Sequence, residues 1–218
     1  MNFDLQGIGM TSQRTRDRLV AALQGEGITD HRVLDTLRAV PRHIFIDEAL
    51  AHRAYENTAL PIGFGQTISQ PYIVALMTQL LLADRPSKVL EVGTGCGYQT
   101  SVLAKMVRRV FTIERVAELV PYAAARFKAL GLNNVIAKLG DGYEGWPVHE
   151  PFDAILVTAA ASEVPAALLE QLAVGGRLVV PVGDDSQHLR LIERTADGFN
   201  ESSHGAVRFV PMLHGTTG

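Results

Sequence analysis

The amino-acid sequence predicts an α/β protein built on a mostly parallel sheet with helices on both faces. From residue 88 onward, short apolar runs alternate with helical stretches, which is typical of strands joined by crossover helices. The runs are apolar on both faces, as in strands buried between two helical layers. The length of 218 residues, with 47% hydrophobic and 20% charged residues, suits one globular domain with a full core.

The strand and helix positions follow from this alternation. Five parallel strands are expected at residues 88–92, 110–113, 135–139, 152–157 and 178–182. Helices are expected between them at about residues 98–107, 116–130 and 164–173. After residue 182 the alternation stops, and two strands at 188–194 and 206–210 are expected to close the sheet as a hairpin.

A helical segment precedes the alternating region. Residues 12 to about 60 have apolar positions at helical spacing, with a break at Gly25-Glu26-Gly27, a cap at Thr29-Asp30 and a helix end at Pro41. Residues 61–70 are expected to form an irregular glycine-rich loop, and Pro71 to begin a helix capped by Ser69 or Gln70. The free N–H groups at this helix start are expected to favour an anion. We therefore predict a single domain over residues 1–218, with segments 12–70, 71–182 and 183–218.

Composition excludes several classes of function. The net charge is −3, from 20 Lys and Arg against 23 Asp and Glu, and only 6% of residues are aromatic, which argues against a nucleic-acid partner. The only cysteine, Cys96, cannot form an internal disulfide or a cysteine-based metal site. Residues 1–20 lack the apolar stretch of a signal peptide. We expect a cytoplasmic protein that binds no metal, nucleic acid or membrane.

The most informative segment is the glycine-rich turn after the first strand of the alternating region. Glycines at 93, 95 and 97 follow a strand that ends at Glu91 or Val92. Ligands of open α/β sheets bind outside the carboxyl ends of the strands, where this turn lies. Since Tyr98 replaces the last glycine that a G-x-G-x-x-G fingerprint requires, the turn is not the expected loop for a pyrophosphate.

Acidic residues occur at three successive strand ends. Glu91 precedes the glycine turn, Glu114 ends the next strand, and Asp141 lies between two glycines after the third strand. Carboxylates at such positions can accept the ribose hydroxyls and an adenine amino group. Taken alone, each acidic residue is explained as easily by a helix cap or a turn as by ligand binding. Together they predict a site for an adenosine that carries positive charge and no phosphate, and S-adenosyl-L-methionine fits this description.

Several short motifs are shared with a known family. They are Val-Pro-Arg-His-Ile-Phe at 40–45, Leu-Pro-Ile-Gly at 60–63, Gly-Gln-Thr-Ile-Ser-Gln-Pro at 65–71, Glu-Val-Gly-Thr-Gly at 91–95, Gly-Asp-Gly at 140–142, Pro-Phe-Asp-Ala-Ile at 151–155, Gly-Gly-Arg-Leu at 175–178 and Arg-Phe-Val-Pro at 208–211. With these motifs the chain resembles the protein-L-isoaspartate O-methyltransferases, particularly the bacterial ones. It departs from them at Cys96, where Ser is common, and at Met212, where Leu is common.

The resemblance implies a Rossmann-like, seven-stranded methyltransferase fold with an added N-terminal helical segment. It also implies methyl transfer from S-adenosyl-L-methionine to the free α-carboxylate of L-isoaspartyl residues in damaged proteins, leaving S-adenosyl-L-homocysteine. Ser69 matches the active-site serine of the family. The expected cofactor-binding residues are Thr67, Ile68, Glu91, Gly93, Thr94, Gly95, Gly97, Glu114, Asp141 and Gly142. The expected substrate-binding residues are Thr67, Ile68, Ser69 and Val210, and the enzyme is expected to be a monomer.

The expected chemistry agrees with the residue types at the site. A carboxylate is already ionised at pH 7, so it needs no general base, and residues 67–71 contain neither His nor Lys. Ser69 is therefore expected to orient the acceptor, although it could also serve only as a helix cap. Cys96 is interpreted as a packing residue, and His43 and His149 as polar surface residues without a catalytic role.

Three other functions are compatible with parts of the pattern. One is a methyltransferase that acts on another acceptor, such as a small metabolite or RNA. Another is a non-catalytic module that binds S-adenosyl-L-methionine, and a third is a nicotinamide enzyme. Methyl transfer to an isoaspartyl peptide would separate the first two from the expected activity, and Tyr98 argues against the third.

Overall fold

The computed structural model describes residues 3–218, so residues 1 and 2 of the predicted domain lie outside the described part. The strands are β1 Leu60–Gly63, β2 Gln66–Ile68, β3 Lys88–Val92, β4 Arg109–Glu114, β5 Val135–Leu139, β6 Phe152–Val157, β7 Leu172–Val182, β8 Gln187–Arg194 and β9 Phe199–Val207. The helices are α1 Gln13–Gly25, α2 His31–Ala39, α3 Pro71–Leu81, α4 Tyr98–Ala104, α5 Leu119–Ala129 and α6 Ala166–Glu170.

Seven strands form the central sheet in the order β5-β4-β3-β6-β7-β8-β9. The pairs from β5 to β7 are parallel, and β7–β8 and β8–β9 are antiparallel. The expected mostly parallel, seven-stranded sheet with a closing hairpin is thus confirmed. The chain order reverses direction at β3, between β4 and β6, and this is where open α/β sheets bind ligands.

Helices cover both faces of the sheet, as predicted, because successive residues of a strand point to opposite sides. On one side Val89 belongs to a buried cluster with Met77 of α3. On the other side Leu90 belongs to a cluster with Leu168 of α6. All four side chains are at most 1% exposed, so β3 at the centre of the sheet is buried on both faces. The edge strand β5 is the exception to the predicted burial of the parallel strands, since its residues are half-buried or exposed.

The N-terminal segment packs as a separate layer on this core. Helices α1 and α2 begin and end close to the predicted positions, and the Asp30 side chain caps α2 by accepting the N–H of Arg32 at 2.8 Å. Their buried side chains share a cluster with residues of α3 and α4. No helix within residues 3–218 is long and apolar enough to cross a membrane.

Two predicted elements are wrong. Residues 61–70 are not an irregular loop: β1 and β2 pair as an antiparallel hairpin, with Gly63, Phe64 and Gly65 at positive φ in its turn. The last strand covers Phe199–Val207 instead of 206–210, so Val210 lies beyond the sheet. That strand lies at the edge of the sheet and pairs only with β8 among the described strands. Most of its residues are polar and exposed, so the alternation of apolar and polar residues that predicts a strand is missing.

Candidate active site

A cavity of about 250 Å³ lies at the carboxyl edge of the sheet, between the glycine turn after β3, the ends of β4 and β6, and the β1–β2 hairpin. Most of the predicted site residues line it, namely Thr67, Ile68, Ser69, Gly93, Thr94, Gly95, Glu114, Gly142 and Val210. Residues from five separate parts of the sequence therefore meet here, as the strand-end argument requires. Glu91, Gly97 and Asp141 were also predicted but are not among the lining residues.

The glycine turn depends on backbone conformations that other residues rarely adopt. Gly93 and Gly95 have φ values of 96° and 54°, in the left-handed region. A Cβ on Gly93 would lie 2.3 Å from Oγ1 of Thr158. That hydroxyl donates to the carbonyls of Val92 and Gly93 at 3.0 and 2.7 Å, and so joins the end of β6 to the turn. The main chain of the turn therefore lies next to the cavity, and no side chain of Gly93 or Gly95 separates it from a ligand.

Glu114 supplies a fixed carboxylate to the cavity. One oxygen accepts the N–H of Gly95 at 2.7 Å, and the other accepts the N–H groups of Arg115 and Val116 at 2.8 and 2.9 Å. Glu114 is only 5% exposed. Oε1, the oxygen with two donors, thus has both acceptor directions in use, whereas Oε2 keeps one that can accept a hydroxyl group of a ligand in the cavity.

Ser69 lies directly after the β1–β2 hairpin, at the start of α3. The cap position of α3 is Gln70, so the alternative interpretation of Ser69 as the helix cap is not supported. No hydrogen bond from the Ser69 hydroxyl to another residue within 3–218 is found, and the residue is partly exposed. Its hydroxyl is available to a ligand.

The start of α3 offers fewer free donors than the sequence suggests. Pro71 has no N–H, and the N–H of Tyr72 is bonded to Oδ1 of Asn57 at 3.0 Å. The expectation of a general anion site at this helix terminus is therefore only partly met. A ligand anion near residues 67–69 depends more on the Ser69 hydroxyl than on the helix dipole.

A second cavity of about 620 Å³ adjoins the first and is open to solvent. The two share Thr67, Ser69, Thr158 and Val210. The wall of the second cavity continues along residues 206–210, where Gln187 holds the main chain of Phe209 through hydrogen bonds of 2.6 and 3.1 Å. This groove has room for an extended peptide that reaches Ser69 from outside.

Comparison with known proteins identifies the family. The family model for protein-L-isoaspartate(D-aspartate) O-methyltransferase matches residues 14–217. The chain belongs to this family. It is 59% identical to a protein-L-isoaspartate O-methyltransferase of Pseudomonas paraeruginosa, over 94% of this chain and 99% of that protein. It is 58% identical to the Halorhodospira halophila protein of the same name, over 96% of both chains.

Solved structures of protein-L-isoaspartate O-methyltransferases have the same fold. One superimposes with a TM-score of 0.81 at 29% identity and covers 90% of this chain and 65% of its own. A Plasmodium falciparum structure assigned to the same family, solved in complex with S-adenosyl-L-homocysteine, also has a TM-score of 0.81 at 29% identity. It covers 91% of this chain and 98% of its own. The predicted resemblance and fold are confirmed.

Within this family fold, Glu91 does not reach the cavity. It is fully buried on β3, and one carboxylate oxygen accepts the hydroxyls of Thr100 and Thr112, the latter at 2.6 Å. The other oxygen has no partner among the described residues. Burial raises the pKa of Glu91 to about 8, so it is mostly protonated at pH 7. The structure therefore does not bear out three ionised acids around one ligand.

Gly97 also has a packing role in the structure. A Cβ at this position would lie 2.7 Å from the Phe127 ring, so the glycine allows α5 to pack against the start of α4. Cys96 is buried, and burial raises the pKa of its thiol to about 11, which supports its interpretation as a packing residue.

His43 and His149 are not among the residues that line the cavity. The interpretation of His43 as a surface residue is wrong, because its ring is buried and bonded to the Tyr55 hydroxyl and the Asp4 carbonyl.

Thr158, Met212 and Leu213 are among the lining residues that the sequence analysis missed. Thr158 follows β6 directly, and the same strand-end argument that identified Glu114 would have found it. Met212 and Leu213 come from the C-terminal segment, which folds back over the sheet edge. No local sequence signal marks that return, because its contacts are made with residues far away in the chain.

Proposed function

We propose that the cavity between Ser69 and Glu114 is the active site of this methyltransferase. As a member of its family, the enzyme transfers a methyl group from S-adenosyl-L-methionine to the free α-carboxylate of L-isoaspartyl residues in damaged proteins. The methyl ester then collapses to a succinimide. The observation that supports the site is the continuity of the cavity that contains the fixed carboxylate of Glu114 with the adjoining cavity at Ser69.

The residues of the cavity fit the cofactor. Glu114 would accept a ribose hydroxyl with the remaining acceptor direction of Oε2, and no cation among residues 3–218 is bonded to this carboxylate. Gly142 lines the cavity, and its main chain would lie beside the adenine ring. A side chain does not fit at this position, because a Cβ would lie 2.3 Å from Val92 and 3.1 Å from Met212. Thr94 and the backbone of Gly95 would lie along the methionine portion. When bound, S-adenosyl-L-methionine supplies a methyl group activated by its sulfonium and leaves as S-adenosyl-L-homocysteine.

Ser69 would orient the acceptor carboxylate. Its hydroxyl is unengaged and lies where the two cavities meet, so it can donate a hydrogen bond to one carboxylate oxygen while the other oxygen attacks. A neutral donor weakens the nucleophile less than an arginine would. Thr67, Ile68 and Val210 would exclude water and hold the substrate main chain, and holding reactants in line can lower a barrier by roughly 7–11 kcal/mol.

The peptide substrate would bind in an extended form. The groove wall at residues 206–210 continues from the edge strand β9, which pairs with β8 alone among the described strands, so the outer edge of β9 can pair with a peptide backbone. Both main-chain groups of Phe209 are already bonded to Gln187 and are not part of this pairing. Main-chain recognition tolerates many sequences, which suits an enzyme that repairs randomly damaged proteins. We further propose that the enzyme works as a cytoplasmic monomer without a nucleic-acid or membrane partner, since its single thiol forms no disulfide.

Replacing Ser69 with alanine is the direct test of the active site. We expect kcat/KM for an L-isoaspartyl peptide to fall about 10- to 100-fold, because a hydrogen bond to a charged group contributes roughly 1.5–3 kcal/mol. The assay measures methyl incorporation from labelled S-adenosyl-L-methionine, with the normal aspartyl peptide as the negative control. Ser203→Ala, an exposed serine outside both cavities, is the matched variant and should retain full activity. Nearly unchanged kcat/KM in Ser69→Ala would exclude the positioning role.

A further inference from the structure

The peptide groove, defined here as the second cavity beside Ser69, carries one charged side chain. Of the residues that line it, Arg208 is charged and all the others are neutral. The protein as a whole has a net charge of −3, so its overall charge repels acidic peptides. The groove therefore presents a positive charge to a peptide on a molecule that is otherwise negative.

The guanidinium of Arg208 is not used by the fold. The residue is exposed, and no hydrogen bond or ion pair joins its side chain to any residue within 3–218. The arginines of β7 and β8 differ in this respect. Arg177 and Arg190 are each paired with a carboxylate of a neighbouring strand, and Arg194 donates to main-chain carbonyls at the end of α6. Arg208 thus keeps its fork of donors for a carboxylate that arrives with a ligand.

The position of Arg208 separates it from the reacting atoms. Arg208 lines the peptide groove but not the cofactor cavity, whereas Val210 lines both. The Cα atoms of these two residues are at most about 7 Å apart, since each residue of an extended chain spans about 3.3–3.6 Å. A peptide in extended form has the same spacing. When its isoaspartyl residue lies at Ser69 and Val210, a side chain about two positions away lies beside Arg208.

We propose that Arg208 is a specificity-determining residue that favours isoaspartyl peptides with a carboxylate about two residues from the damaged position. An aspartate or glutamate at that position pairs with the guanidinium, whereas a lysine is repelled by it. The reacting carboxylate itself stays free of the arginine and keeps its nucleophilic strength. This inference rests on the proposed function, because the groove takes a substrate peptide only if methyl transfer occurs at Ser69.

Three otherwise identical L-isoaspartyl peptides test the proposal. They carry glutamate, glutamine or lysine at the second position before and the second position after the isoaspartate, so that either direction of the peptide places one of them beside Arg208. The kcat/KM of methyl transfer is measured at low and high salt. At about 0.05 M NaCl we expect the wild type to prefer the glutamate peptide to the lysine peptide by about 3- to 10-fold. At about 0.5 M NaCl the ratio should fall below about twofold, because salt screens an exposed charge pair.

Two variants of Arg208 and one control locate the effect. Arg208→Glu should reverse the preference, and Arg208→Gln should abolish it. The readout is the ratio of the two peptides within each variant, so a change in general activity cancels. Arg109→Glu makes the same change in net charge at an exposed residue that begins β4 at the opposite edge of the sheet, outside both cavities. This control should keep the wild-type ratio.

Three results would overturn the proposal. A wild-type ratio near one means that Arg208 does not select among peptides. A ratio that is the same in Arg208→Glu as in the wild type assigns the preference to another residue. A ratio that Arg109→Glu changes as much as Arg208→Glu assigns it to the overall charge of the protein.

The same peptides separate this proposal from the proposed function. Methylation of all three peptides with equal kcat/KM contradicts the role of Arg208 and supports the function. If no isoaspartyl peptide is methylated, the proposed function fails. Binding of the fluorescently labelled peptides, measured by anisotropy, then decides the role of Arg208. Tighter binding of the glutamate peptide that Arg208→Glu reverses supports it, and equal binding of all peptides overturns it.

Discussion

Glu114→Ala is expected to weaken binding of S-adenosyl-L-homocysteine by about 10- to 100-fold. The carboxylate would accept a ribose hydroxyl, and a hydrogen bond to a charged acceptor contributes roughly 1.5–3 kcal/mol. The residue is only 5% exposed, so water cannot readily take the place of the lost acceptor. Calorimetric titration of the variant and the wild-type protein measures the difference directly.

The same carboxylate also organises the turn that it faces. Glu114 accepts the N–H groups of Gly95, Arg115 and Val116, so alanine leaves three donors without their partner. A lower Tm is therefore expected together with weaker binding. Glu114→Gln retains an acceptor oxygen and should show an intermediate loss of affinity.

A neighbouring acidic residue provides the matched control for this prediction. Glu118 is exposed and lies at the start of α5, shortly after the same strand, and Glu118→Ala should bind like the wild type. If Glu114→Ala folds and its Kd changes by less than about twofold, Glu114 does not bind the ribose. Titrations of all variants at one temperature and salt concentration make the values comparable.

The sequence predicts the interior of the fold better than its edges. Strands β3 and β6 begin and end at the predicted residues, because a strand inside a parallel sheet consists of a continuous apolar run between turns. Strand β5 also matches its predicted bounds, although it lies at the edge of the sheet and is partly exposed. Strand β7 begins at Leu172 and not at residue 178, since Gly175 and Gly176 lie within the strand instead of before it. The predicted position of strand β9 was wrong because the bounds of this exposed edge strand are set by its pairing with β8 and not by an apolar pattern in its own sequence.

The sequence also predicts some residues of the candidate site correctly and misplaces others. Strand ends are visible in the sequence, and they brought Glu114 and the glycine turn to the correct edge of the sheet. The face to which a strand residue points is harder to predict when both faces are buried. Glu91 is an example, because it pairs in register with Thr112 and is enclosed among hydroxyls. The bond between Asp141 and Gly215 spans 74 residues, so no local pattern could reveal it.

The buried Glu91 is expected to make the stability of the protein depend on pH. In the folded protein burial raises the pKa of Glu91 from 4.5 to about 8. Below about pH 4.5 the carboxyl is neutral in both the folded and the unfolded chain, so its burial carries no ionisation penalty. Between pH 4.5 and 8 the unfolded chain releases the proton while the folded protein keeps it, and the free energy of unfolding falls as pH rises. The loss should be on the order of a few kcal/mol by pH 8.

Glu91→Gln isolates this contribution because an amide does not titrate in this range. Its oxygen can still accept the hydroxyls of Thr100 and Thr112, and its NH₂ group takes the place of the protonated oxygen. We expect the variant and the wild type to have similar free energies of unfolding at pH 5, with the variant progressively more stable up to pH 8. Urea unfolding at several pH values measures the difference, in which the titrations of all other groups cancel.

Exposed Glu163→Gln is the control and should follow the wild-type curve at every pH. Parallel curves for Glu91→Gln and the wild type would mean that Glu91 is ionised in the folded protein, and its buried carboxylate would then need a cation or a water that balances the charge. If the curves of Glu91→Gln and the wild type diverge as pH rises, Glu91 is a neutral, hydrogen-bonded group beneath the glycine turn. A neutral Glu91 can support Thr94 through the Thr112 hydroxyl, which lies 2.6 Å from the Thr94 hydroxyl, without repelling the carboxylate of Glu114. The negative charge of the site then comes from Glu114, on the side that faces the cofactor.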